Sequence, residues 1–120
     1  MDTTIASACQ NSNCGLAACY CAGVIRNVVM VKLEPGQDPD AVAEIQESFR
    51  RLNCPGTLSY TVGSDLGLRD GGWSFAIVAD FTDADAYRAY DLDDEHNAVR
   101  ARLAPMAQQI ARVQFEVPDL

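Results

Sequence analysis

Residues that can move a proton near neutral pH are scarce in this chain, which has one histidine, His96, among 120 residues. Tyr90 precedes it by six positions, across Asp91-Leu92-Asp93-Asp94-Glu95. A neutral imidazole can act as a general base at physiological pH. A phenol within hydrogen-bonding distance can polarise a carbonyl or stabilise an enolate. On one continuous helix a spacing of six turns the two side chains away from each other, so they converge only if the helix ends between them. The acidic run is where it would end, with Asp93 as the N-cap of the next segment and His96 in that segment's first turn. Backbone N–H groups there push an imidazole toward its neutral form. The charges of Asp93, Asp94 and Glu95 pull the other way. The competing role for both residues is structural: a histidine that pins a loop, and a tyrosine that packs at the core edge.

Other side chains could meet a ligand. Tyr60, Trp73 and Phe75 could line a cavity between helices and sheet, or be ordinary core. Asn27, next to Val28-Val29 in an apolar stretch, needs either a partner or a polar cavity, because a lone amide is costly to bury. Val29 is a further candidate lining residue. Gly71-Gly72 precedes a strand rather than a helix, so it is no phosphate loop. No nucleophile elbow is present. A single histidine leaves no histidine-based metal cluster, and the acidic run lacks calcium-loop spacing. No metal or cofactor is expected. Cys9, Cys14, Cys19 and Cys21 are spaced C-x4-C-x4-C-x-C, and Cys54 stands apart. An odd number of thiols cannot all pair within one chain, and this spacing does not supply zinc geometry. Residues 1–23 therefore read as a Cys-rich flexible extension, and residues 24–120 as the folded domain.

The elements that must position these residues follow from periodicity. Val24 to Leu33 is β-branched and ends at Pro35-Gly36, as a strand does. Asp38-Pro39 caps a helix carrying Val42, Ile45, Phe49 and Leu52 on one side, stopped by Pro55-Gly56. Leu58, Tyr60 and Val62 alternate with polar residues in a second strand over 57–63. Trp73, Phe75, Ile77, Ala79 and Phe81 share one face of a third. Thr82-Asp83 opens a short helix carrying Ala86, Tyr87 and Tyr90. A segment with Val99, Leu103 and Met106 follows the acidic break and is divided at Pro105. Val113, Phe115 and Val117 alternate with Arg112, Gln114 and Glu116 in a final strand. The order β-α-β-β-α-β is that of an α+β, ferredoxin-like domain, a four-stranded antiparallel sheet with helices on one face. Both faces of strands one and three are apolar, with Val28, Met30, Ala76 and Val78 opposite Val29, Val31, Phe75 and Ile77. A second copy's sheet would cover the open face, which predicts a homodimer.

Net charge −8, from 9 Lys+Arg against 17 Asp+Glu, argues against nucleic acid and anionic membrane as partners. No stretch approaches the ~18 apolar residues of a membrane span. Residues 1–25 hold no Lys or Arg and their apolar run is broken at 10–13, unlike a secretory signal, so a cytoplasmic location is expected.

The opening strand, Pro55-Gly56 after the first helix, and Phe81-Thr82-Asp83 followed by Tyr90 and His96 resemble the stress-responsive A/B barrel (Dabb) family over about residues 24–118. The resemblance implies a dimeric α+β barrel. Members typically carry a tyrosine, a His-Pro pair and a second histidine here. This chain keeps Tyr90 and His96 and has Asp93 and Asp94 in place of the first histidine and the proline. One plant member cyclises a linear polyketide by an intramolecular aldol step with a tyrosine and a histidine six apart, and carries a histidine where this chain has Asn27. The resemblance thus implies Tyr90 and His96 as catalytic positions and a small apolar or polyketide-like ligand. The alternatives are a non-catalytic stress-type binding or structural protein, and a cofactor-free monooxygenase of the same fold.

Overall fold

A computed structural model of the chain describes residues 23–118. The Cys-rich extension, with Cys9, Cys14, Cys19 and Cys21, lies outside the described residues. Strand β1 (Val24–Leu33) leads to α1 (Pro39–Arg50), then to β2 (Thr57–Ser64) and β3 (Phe75–Phe81). Helices α2 (Ala84–Leu92) and α3 (Asp94–Leu103), a single 3₁₀ turn (Ala104–Met106) and β4 (Ala107–Val117) complete the order. The four strands form one antiparallel sheet in the order β2-β3-β1-β4. The fold is therefore the expected α+β, ferredoxin-like one.

Each boundary has a local cause. Asp38 precedes Pro39 at the first helical position of α1, where the missing N–H of proline is no loss. Asp83 caps α2 by accepting from the Ala86 N–H at 2.8 Å. Pro105 sits in the 3₁₀ turn that ends α3, so the chain turns into β4 at Ala107, well before the Val113–Val117 alternation. Gly56 adopts φ +85°, and a Cβ there would stand 2.6 Å from that of Ala86; only glycine lets the α1–β2 turn pass so close to α2.

Period-two alternation divides the sheet into two faces. Val31, Phe75, Ile77 and Val62 face the helices and meet Ile45, Phe49, Val99 and Leu103 in the main core. Ala79, Phe81 and Tyr90 form a second cluster with Tyr60 and Tyr87 against it. Among the described residues no helix covers the opposite face. It carries Val28, Met30, Val78, Val113 and Phe115, with Val113 at 54% and Phe115 at 46% exposure. The final strand thus turns its apolar row outward and its polar row, Arg112 and Gln114, toward the helices. Register makes this unavoidable, because Asn27 pairs with Gln114, Val29 with Arg112 and Val31 with Ile110.

Candidate active site

A cavity of about 380 Å³ lies between the inner sheet face and helices α2 and α3. Val29, Phe49 and Ile77 supply apolar wall, and Asn27, Asp91, Arg100 and Arg112 supply polar wall. His96 and Tyr90 complete it. The sequence brings the last two together through the expected helix break. The chain leaves α2 at Leu92, and Asp93 is extended and caps α3 by accepting from the His96 N–H at 2.9 Å.

The two rings stack, with centroids 3.9 Å apart and planes inclined by 29°. Their arrangement differs from a hydroxyl presented to an imidazole nitrogen. The Tyr90 hydroxyl lies instead 2.7 Å from that of Tyr60 on β2. Tyr90 is only 3% exposed, and burial raises its pKa far above the ordinary phenol value. Burial likewise pushes Tyr60 up to about 12, so both phenols stay protonated at neutral pH. Replacing Tyr60 with phenylalanine leaves the Tyr90 hydroxyl buried without its partner, and stability should fall by ~1–3 kcal/mol. Urea denaturation reads this directly, and an unchanged midpoint would show that the pair contributes nothing.

His96 is 5% exposed, and its Nδ1 is buried with no hydrogen-bond partner among the described residues. Its pKa is lowered, chiefly by burial and then by the charge of Arg100. Asp91 and the carbonyls of Tyr90 and Asp91 oppose that shift less strongly. The expected neutral bias holds, but desolvation rather than the helix start is its main cause. The acidic neighbours Asp93, Asp94 and Glu95 are not among the groups that move it.

Asn27 is 3% exposed, and its Oδ1 accepts from Gln114 Nε2 at 2.8 Å, so it has a partner and borders the cavity as well. Val29 also lines the cavity. Tyr60 does not line it; it reaches the site only through the Tyr90 hydroxyl. Trp73 and Phe75 are corrections. The third strand begins at Phe75, leaving Trp73 in the preceding loop, and Phe75 is core at the far end of β3. Both border a separate depression beside the 65–72 loop, away from His96.

Arg100 and Arg112 were not legible as site residues. Arg100 lies 3.4 Å from Asp91. The signal for Arg112 was its period-two company with Ile110 and with Gln114, the partner of the polar Asn27. Among the described residues, no three His, Cys, Asp or Glu side chains gather as metal ligands would, and no helix is long and apolar enough to cross a membrane.

Comparison with known proteins bears on the whole domain. None of the curated proteins matches the chain. A dimeric ferredoxin-like protein of unknown function from Thermobifida fusca is 33% identical, with a TM-score of 0.76 over 80% of this chain and 92% of that one. A dimeric protein of unknown function from Bacteroides fragilis is 22% identical, with a TM-score of 0.69 over 82% and 100% of the two chains. The hydroxynitrile lyase of Passiflora edulis shares the fold at 14% identity, with a TM-score of 0.73 over 82% and 97%. The model of the stress responsive A/B barrel domain matches residues 25–117, nearly all of the described chain. The chain therefore belongs to the stress responsive A/B barrel domain family.

Proposed function

We propose that this protein is a homodimeric small-molecule enzyme of the cyclase or lyase type, in which His96 moves a proton to and from carbon beside a carbonyl without a cofactor. The observation that carries the reading is the His96 imidazole, which lines the cavity, is buried with its pKa lowered, and keeps Nδ1 without a partner among the described residues. An unsatisfied buried nitrogen costs ~1–3 kcal/mol, so its retention calls for a use. In the reaction the imidazole takes the α-proton, and the electron pair moves onto the carbonyl oxygen as an enolate. The Asn27 amide N–H is a neutral donor on the cavity wall suited to that oxyanion. The enolate carbon then attacks a second carbonyl, whose alkoxide takes the proton back from the imidazolium. In the lyase direction the imidazole takes the β-hydroxyl proton, the carbon–carbon bond breaks to a carbonyl and an enolate, and the imidazolium protonates the enolate carbon. Tyr90 acts as a positioning residue, its ring stacked on the imidazole and its hydroxyl fixed by Tyr60.

Incorporation of solvent deuterium at the α-carbon of small ketones and 1,3-diketones, followed by NMR, tests this reading. The protein should accelerate exchange of at least one class above the buffer rate. A panel that exchanges no faster than in buffer would remove the enzymatic reading and leave a binding protein.

The homodimer forms through the open sheet face. Support comes from the exposed apolar row there and from the dimeric state of the Thermobifida fusca and Bacteroides fragilis relatives. Sedimentation at micromolar concentration should give twice the chain mass. Val113→Asp should give the single-chain mass, because a carboxylate would be buried unpaired in that face. A monomeric parent protein would sink the assignment.

A further inference from the structure

We propose that the cavity binds a small organic acid with an apolar body, its carboxylate held by the Arg112 guanidinium beside the Asn27 amide. The inference rests on reading this cavity as the ligand site and names the class of ligand.

The chain is acidic, with net charge −8 and 9 basic residues, yet two of its arginines line one small cavity. Arg100 already has a carboxylate, Asp91, which it neutralises. Arg112 makes no ion pair among the described residues; Arg69 makes none either, but it lies at the 65–72 loop, whereas Arg26, Arg50, Arg51, Arg88 and Arg102 each pair with a carboxylate. The position of Arg112 on the inner face is fixed by its pairing with Val29. A guanidinium presents a planar fork that matches a carboxylate with two parallel hydrogen bonds. Beside it, Asn27 accepts from Gln114 through Oδ1, so its amide N–H groups are the donors left for a ligand. The same cavity offers apolar surface from Val29, Phe49 and Ile77. A volume near 380 Å³ lies toward the lower end of the ~300–1,000 Å³ usual for small-ligand sites, which suits a compact acid.

The test titrates the full chain with benzoate and hexanoate, and with their neutral amides, by saturation-transfer NMR. Each acid should bind at least about tenfold more tightly than its amide, since charge-assisted bidentate pairing is what the amide lacks. Arg112→Gln should remove that preference while leaving amide binding and the melting temperature nearly unchanged. Arg112→Lys, which keeps the charge and loses the fork, should retain only part of it and serves equally if the glutamine variant fails to fold. Equal binding of acid and amide, a preference that survives both variants, or binding of neither probe would overturn the proposal. The outcome is separable from that of the proton-transfer reading. Arg112-dependent acid binding without any α-exchange would leave this inference standing and remove the catalytic one. Exchange of neutral ketones by a protein indifferent to acids would do the reverse.

Discussion

His96→Gln should lose the catalysed α-proton exchange by ~10²–10⁴-fold, the usual contribution of a positioned base. Glutamine can fill part of the space, but it has no basic nitrogen. It also loses the stacking on Tyr90, worth about 0.5–1.5 kcal/mol, so rates should be compared well below the melting transition. The pH profile carries independent information. Burial and Arg100 lower the imidazole pKa from its ordinary 6.5, so the parent rate should rise with pH through an inflection below 6.5 and be level at neutrality. The same shift acts on stability. Above the unfolded-state pKa both states are neutral and the full stability is present. As pH falls below that value the unfolded chain protonates first, and stability drops until pH passes the folded-state pKa. His96→Gln should abolish this acid-side drop. An unaltered exchange rate in the variant, or a parent profile inflecting above 6.5, would reject the role of base.

Phe81→Ala should be the most destabilising change, at ~3–5 kcal/mol. Phe81 is fully buried, with ring centroids 5.7 Å from Tyr87 and 5.0 Å from Tyr90. Its removal opens a void under the ring that holds His96, so ligand binding should weaken along with stability. The urea midpoint measures the first effect. A loss below ~1 kcal/mol would mean that the aromatic cluster collapses into the space, and that Tyr90 is held by its Tyr60 hydrogen bond alone.

Most of the fold was legible because its signals are local. β-branched runs, Asp-Pro and Thr-Asp caps and Pro-Gly stops place β1, α1, β2 and α2 within a residue or two of their observed ends. The break that juxtaposes Tyr90 and His96 was legible for the same reason, since Asp93 is a cap written into the chain. What escaped depends on tertiary context. Whether the Tyr90 hydroxyl meets His96 or Tyr60 is decided by how β2 lies under α2, which no local pattern encodes. Trp73 shares the alternation of β3 but precedes its first ladder pair, so its apparent face carried no meaning. The alternation of Val113, Phe115 and Val117 with Arg112, Gln114 and Glu116 left Arg112 unassigned to a side. In a sheet apolar on both sides, alternation marks two rows without saying which one the helices cover.

Strand β4 is therefore a matter of parity. The described chain enters it through a register irregularity at Lys32/Leu33 of β1, and from there each residue's side is set by whether it is odd or even. Slipping β4 by one residue against β1 would exchange the rows, sending Val113 and Phe115 under the helices and Arg112 out to the open face. A single deletion beside Gln108 would not do so, because the extra residue there absorbs it. Slipping the strand by two would restore the rows. The proposed ligand recognition on one side and the proposed self-association on the other would fail together in the first case, although no residue of either surface had been substituted. Two molecular properties usually free to drift apart are here tied to a single count along eleven residues of backbone.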